Sequence, residues 1–508
     1  MALALSRAAA LLALAAALLL PRPAAAQPED AWRVEGAPPG ARIVLATFFG
    51  ELLPGLREVA VDFEARTGIE VSVQSIPYAA YPLWVRTQFL SKEPPEVLLL
   101  ESGQMVQYGE SGLLLPLDDL MEQPNPLRGP GARPWAEDFR FPLVQQARDA
   151  RGRLWFVPHT QYSVGFFANR SMLEPLGLEP PGDWQQLMLN LRAVRDSGQV
   201  AMLVAIKPND AQSSWAAMLL LECLTRPLIP AVNIEHEEGW VFDAADRATT
   251  LRERITIEER LVAFERGIID PARSPEFAEM CRLMKDFSTV WRPDFLSLDG
   301  QEVYEAFSKG GVAHTMNGTW YFGTLLSDLE LMREVAPGRV FDYETFGFPD
   351  LTSASTALPL AGGINQNAGM RACLILPRQP RGEWRERAAV LLAHYLTIPE
   401  VAQRALDNSQ SWDISALEEV RPRAEAEPLL PRMQYAFLPV ADFMGYDEQS
   451  IGQFWPLWQD FLGGKVTQEQ FLGELSRLHR DSLLRVAQRA GDELDRAFIH
   501  RELGKDLL

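Results

Sequence analysis

The alternation of apolar runs predicts an α/β fold built on a mostly parallel sheet. Near the start of the chain, short aliphatic segments of strand length take turns with stretches whose apolar residues recur at helical spacing. Over 508 residues, 47% hydrophobic and 9% aromatic content is ample for a buried core and excludes a disordered chain. The length corresponds to roughly two to four domains. With 48 basic against 68 acidic residues the formal charge is −20. That balance excludes a general nucleic-acid binder, because phosphate binding needs clustered Lys and Arg.

Residues 1–26 begin with a short segment carrying one basic residue, Arg7, followed by an apolar run from Ala8 to Leu20, a Pro21 break, Arg22, and Ala24, Ala25 and Ala26 before Gln27. This is the layout of a cleavable signal peptide; the run is shorter than the roughly 20 residues that span a bilayer. Export with cleavage near Ala26 is expected, and no Cys near that point offers a lipid attachment site. The apolar runs further on, such as Ala216 to Leu221, have the length of core elements. Cys223, Cys281 and Cys373 are too widely spaced for a CxxC motif and read as small buried hydrophobes, with at most one disulfide among them.

Gln27 to Gly40, rich in Pro, Gly and charge, reads as a loose arm. Arg42 to Phe49 suits a buried strand. Leu56, Val59, Ala60 and Phe63 then mark one helix face, which Gly68 ends. Ile69, Val71 and Val73 alternate as a second strand, Leu83 to Leu90 can form a helix, and Glu96 to Leu100 reads as a third strand. Ligands of such sheets sit beyond the carboxyl ends of the strands, here Thr47 to Gly50, Gln74 to Pro77 and Glu101 to Gln104.

Leu154 to Pro158 and Val164 to Ala168 read as one extended segment passing through a polar place at His159 to Tyr162. Helices are expected around Trp184 to Val194, Ser214 to Leu224, Glu258 to Arg266 and Glu276 to Phe287, with a strand after Gly310. The α/β pattern resumes with a strand at Ala372 to Leu376 and helices from Trp384 to Tyr395 and Glu400 to Leu406. From Thr467, paired with Gln470 as a capping box, the chain reads as helical for over thirty residues.

Catalytic handles are sparse. There is no G-x-S-x-G elbow and no complete phosphate loop, since Gly463, Gly464 and Lys465 lead into Val466. The six histidines never sit at metal-pair spacing. Glu235 to Glu238 reads as a solvated loop, and Asp118 with Asp119 as a helix start.

Several segments in order resemble the family 1 extracellular solute-binding proteins, the carbohydrate-binding components of bacterial ABC importers, similar to maltodextrin-binding proteins. They are Thr67-Gly68-Ile69-Glu70-Val71, Pro94 to Val97, and Ser111 to Asp118. Gly152, Trp155 and Pro158 follow, then Phe167 to Asn169, then Gly177, Pro180, Pro181, Asp183 and Trp184. Phe307, Gly310, Ala313, Met316, Gly318 and Trp320 form a further signature, followed by Gly362 and Gly363, and by Gly464, Lys465, Thr467, Glu469 and Leu472. The mature chain is longer than most relatives, with extra sequence between Ser213 and Asp299 and near Arg421.

The resemblance implies a periplasmic binding protein type II-like fold: two α/β lobes joined by hinge strands around a ligand cleft. Lobe 1 would hold 41–160 plus 361–412, and lobe 2 161–360 plus 413–508. Crossings are implied near Pro158 to Tyr162, Pro359 to Gly363 and Ser411 to Ile414. It also implies a monomeric, non-catalytic protein of the periplasm, without cofactor or metal, that takes a small carbohydrate and delivers it to permease subunits in the membrane. A sugar cleft needs aromatic platforms and planar polar groups. By motif position the ligand-binding candidates are Phe48, Phe49, Tyr78, Glu101, Ser102, Gln161, Tyr162, Trp320, Gly363, Asn365, Trp412 and Trp455, with Tyr81 as a further outer candidate. The Trp and Asp of maltodextrin binders have no counterpart after the third strand. The alternatives are a non-sugar solute such as a polyamine, phosphodiester or metal, a secreted carbohydrate-active enzyme working with two distant carboxylates, and a receptor signalling to a membrane sensor.

Overall fold

The computed structural model describes residues 32–101, 105–140, 143–149, 152–207, 212–234, 255–360, 367–430, 440–491, 494–505 and 507. The expected signal peptide and the Glu235 to Glu238 loop lie outside them.

Among the described residues, nine strands form one mixed sheet: β1 Arg42–Thr47, β2 Glu70–Ser75, β3 Val97–Leu100, β4 Phe156–Asn169, β5 Met202–Leu203, β6 His314–Gly318, β7 Tyr343–Phe346, β8 Asn367–Ile375 and β9 Ile414–Ser415. The order is β2-β1-β3-β8-β4-β6-β5, with β7 and β9 also on β4. The expectation of a mostly parallel sheet is corrected here. Parallel pairing holds β1 to β2 and β3, and β5 to β6; β8 runs antiparallel to β3, and β4 antiparallel to β6, β7, β8 and β9. The apolar alternation is the same for both arrangements, so it could not distinguish them.

The strand β4 has 14 residues and so extends about 45 Å. Phe156 and Val157 lie in one apolar cluster, with Ile43, Leu45, Val97 to Leu100 and Ala372 to Leu376. Phe166, Phe167 and Ala168 lie in a second, with Trp184, Leu219, Phe287, Met316 and Phe471. One continuous strand thus enters two cores. Between them, around Pro158 and Thr160, its register against β8 shifts, where Pro158 has no N–H to give to a ladder. The first cluster takes in Ala416, Leu417 and Val420, so the chain leaves it after Val420 rather than at Trp412.

Local chemistry accounts for many elements. Gly68 ends the helix Leu53–Thr67 in the left-handed region at φ 71°, its N–H donating to the Glu64 carbonyl. Asp183 caps Trp184–Asp196 by accepting from the Gln186 N–H at 2.8 Å, and Trp184 itself is buried. Thr467 and Gln470 form the expected capping box, but the helix it opens ends at Ala490, at Gly491 with φ 60°, and a separate helix runs Arg496–Leu503. The arm is held from Trp32 on: that ring meets Tyr395 edge-on at 5.8 Å, and the Arg66 guanidinium lies 5.0 Å from its centroid. The segment Gln212–Val232 is long and apolar enough to cross a membrane, yet its apolar window is 67% buried, and its helix Gln212–Thr225 lines the second core. The three cysteines are all buried thiols.

Candidate functional site

The parallel strands β1, β2 and β3 release their chains along one edge, and each supplies a side chain there. Phe48 and Phe49 follow β1, Tyr78 and Tyr81 follow β2, and Glu101 follows β3. The Phe48 ring lies 4.3 Å from Phe49, 4.6 Å from Tyr81 and 5.0 Å edge-on from Tyr78. Phe49 anchors this group in the core, whereas Tyr78 is 62% exposed, a large ring left in solvent.

A second aromatic group comes from the other lobe. Trp320, two residues beyond β6, is 38% exposed; Tyr162 of β4 and Trp215 of Gln212–Thr225 meet it edge-on at 5.9 and 5.8 Å. Its position depends on Gly318: a Cβ there would fall 2.1 Å from the Trp320 ring. This gives a steric reason for the glycine of the signature that ends in Trp320.

Arg371, in β8, joins the two groups. Its guanidinium carbon lies 5.4 Å from the Phe49 ring centroid and 5.6 Å from that of Trp320, while Nη2 donates to Glu51 Oε1 at 2.7 Å and Nη1 to Asp413 Oδ1 at 3.1 Å. Asp413 is fully buried beside the crossing, where the Thr160 and Thr319 hydroxyls donate to it at 3.5 and 3.4 Å. Burial pushes its carboxyl up to about 6, against the opposing pull of Arg371.

Glu101 ties the same groups electrostatically. Burial raises its carboxyl and Arg371 acts in the other direction. Its charge is the main cause holding the Tyr78 hydroxyl above its ordinary value. At Tyr81 and Tyr162 burial comes first and Glu101 second. One carboxylate is therefore felt by tyrosines of both aromatic groups.

Of the candidates from sequence, the structure brings together Phe48, Phe49, Tyr78, Tyr81, Glu101, Tyr162 and Trp320. Ser102, Gly363 and Asn365 lie outside the described residues. Gln161 is buried in β4, opposite Met370 and Ile414. Trp412 packs 5.7 Å from Phe322 with the Arg423 guanidinium 4.6 Å from its ring, on the second core's side. Trp455 is a correction: it is 4% exposed in the second core and packs beside Phe454. Sequence reasoning missed Glu51, Trp215, Arg371 and Asp413. The one available signal was a lone charge inside an apolar segment, Arg371 in GMRACLIL and Asp413 in SWDIS. Among the described residues no group of three or more His, Cys, Asp or Glu is placed to hold a metal ion.

Residues 50–221 match the family model described as bacterial extracellular solute-binding protein. A curated relative from Synechocystis, the osmoprotective compounds-binding protein GgtB, is 21% identical over 226 residues, 43% of this chain and 50% of the relative; the chain thus spans about half the length of that relative. Among solved structures, apo RafE from Streptococcus pneumoniae aligns with a TM-score of 0.61 at 16% identity, over 88% of this chain and 100% of that one. The bacterial solute receptor AcbH, described as having an exclusive preference for β-D-galactopyranose, aligns with a TM-score of 0.61 at 13% identity and the same coverage. A solute-binding protein from Thermotoga lettingae bound to α-D-tagatose reaches 0.54 at 15% identity, over 87% and 100%. At these identities the likeness is one of fold.

Proposed function

We propose that this chain, a bacterial extracellular solute-binding protein by the match of residues 50–221 and by its fold, captures a sugar or oligosaccharide between its lobes and delivers it to the permease subunits of an ABC transporter. The observation that carries the reading is the pair of aromatic groups, Phe48 with Tyr78 and Tyr81 on one lobe and Trp320 with Tyr162 and Trp215 on the other. Aromatic faces receive the apolar C–H faces of sugar rings, and Glu101 adds a planar polar group for hydroxyls. A ligand touching both groups binds the closed arrangement more tightly and shifts the population towards it, a form the permease can recognise.

An extracytoplasmic location follows from the family. The finer reading is a monomer of the periplasm, exported by the segment 1–26 and cleaved near Ala26, acting without catalysis or cofactor. N-terminal mass measurement of the exported protein checks the cleavage.

The GgtB relative favours one second reading, an osmoprotective compound as the solute. The test is thermal unfolding of the mature chain against mono- and oligosaccharides, polyols, osmoprotectants, polyamines and metal ions, with a product assay on every hit. A ligand at about 100 times its Kd adds about 2.7 kcal/mol, a rise of several degrees. A shift by a sugar without turnover supports capture for transport. Turnover overturns it, and a shift by osmoprotectants alone moves the reading to the second solute.

A further inference from the structure

The site's charges are unequally matched. Its guanidinium, Arg371, is engaged by two carboxylates, Glu51 at 2.7 Å and Asp413 at 3.1 Å. Arg423, on the Trp412 side, is engaged by the carbonyls of Leu406 and Ser409 at 3.0 and 2.8 Å. Neither cation is left for an acidic ligand. Glu101 is the reverse case. Among the described residues it accepts no hydrogen bond within 3.5 Å and forms no ion pair within 4.0 Å, although it is half-buried at the open end of β3.

Glu101 leaves β3 at the sheet edge where Phe48 leaves β1 and where Tyr78 and Tyr81 follow β2, Phe48 packs against both of those tyrosines, and the charge of Glu101 is felt at Tyr78, Tyr81 and Tyr162. Ring faces carry negative charge density and attract cations, most strongly where water is partly excluded. A half-buried carboxylate that has no direct partner and only the longer-range pull of Arg371, itself already paired with Glu51 and Asp413, is stabilised further by a cation placed against it. A neutral hydroxyl hydrogen-bonds to Glu101 but brings no further positive charge to a site where one guanidinium already serves Glu51 and Asp413. An acidic sugar adds to an excess that is already negative.

We infer that the natural ligand is an amino sugar, or an oligosaccharide bearing one, whose protonated nitrogen sits against Glu101 among Tyr78, Tyr81 and Tyr162. This rests on the reading of the chain as a sugar-capturing protein and narrows its substrate class. The aromatic groups take the sugar faces, and Glu101 selects for the charge.

The test compares three probe series by calorimetry and thermal shift on the full mature chain: glucosamine with its β-1,4-linked oligomers, the same molecules N-acetylated, and glucose with cellobiose and cellotriose. N-acetylation keeps the ring and removes the charge, so the comparison needs no variant. The amine series should bind at least about tenfold tighter than its acetylated counterpart, weakening as salt is raised. Glu101→Gln should bring that ratio within about threefold, its ligand-free unfolding midpoint confirming that it folds. Equal or tighter binding of the acetylated or neutral series overturns the charge selection and leaves sugar capture standing. Silence across all three series overturns the amino-sugar assignment, and sugar capture itself is then decided by the wider panel of mono- and oligosaccharides. An amine preference that survives in Glu101→Gln overturns the assignment to Glu101.

Discussion

The Arg371 guanidinium, in the strand that runs from one core towards the other, donates to the Glu51 carboxylate 320 positions earlier at 2.7 Å. The same guanidinium holds the fully buried Asp413 and lies against the rings of Phe49 and Trp320. A single side chain therefore touches the first lobe, the crossing and the second lobe's aromatic group.

Replacing that cation should be expensive. In Arg371→Met the buried Asp413 loses its ion pair, and stability should fall by about 3–5 kcal/mol, the usual cost of stranding a buried charge. Urea unfolding reads it directly. A loss under about 1 kcal/mol would mean that the Thr160, Thr319 and Ser411 hydroxyls alone support Asp413.

Acid should act on Asp413 and Asp447 with opposite signs. Burial raises Asp413 from its ordinary 3.8 to about 6 in the folded chain, so the folded state binds the proton more tightly. Its favourable contribution is complete below about 3.8 and is withdrawn as pH rises through 6. Over roughly two pH units this amounts to about 3 kcal/mol, and unfolding of Asp413→Asn at pH 4 and 7 should show the wild-type advantage growing towards pH 4. Asp447 accepts from Arg485 at 2.7 Å, which holds its carboxyl well below 3.8. Its contribution is present above 3.8 and is lost on further acidification, so the wild-type advantage over Asp447→Asn should shrink from pH 4 to pH 2.

The two tryptophans separate packing from binding. Trp455→Ala empties a site in the second core and should cost about 3–5 kcal/mol. Trp320→Ala removes a ring that is 38% exposed and should leave the unfolding midpoint nearly unchanged while weakening any sugar that binds. A Trp320 variant as unstable as the Trp455 variant would make Trp320 a packing residue.

Gly318→Ala tests the same platform without touching it. The new methyl would meet the Trp320 ring at 2.1 Å, so the ring must move. Sugar affinity should drop by about 1 kcal/mol, the order of one aromatic contact, with a changed Trp fluorescence. Unaltered affinity with an altered spectrum would remove Trp320 from the contact surface.

Much of this was legible because it is local. The helix stop at Gly68, the cap at Asp183, the Thr467 capping box and the continuity of β4 through His159 to Tyr162 each follow from a few neighbouring residues. The site's first half was legible too, since Phe48, Tyr78 and Glu101 each follow a strand of a parallel set. Trp455 misled because it was chosen by its position relative to the family's stacking aromatic, and a motif position does not say whether the ring meets a ligand or, as here, a core.

The sequence by itself determined six of the described strands (β1, β2, β3, β4, β6 and β8), several helix caps and the row of side chains at the carboxyl edges of β1, β2 and β3, because spacing and capping act within a few residues of one another. Tertiary structure alone decided the antiparallel course of β4 and β8 and the meeting of Trp320 with Tyr162. It also decided the choice of Arg371 as the charge shared by Glu51 and Asp413. Those relations join residues far apart in the chain, and nothing in the local pattern of any one segment carries information about its distant partner.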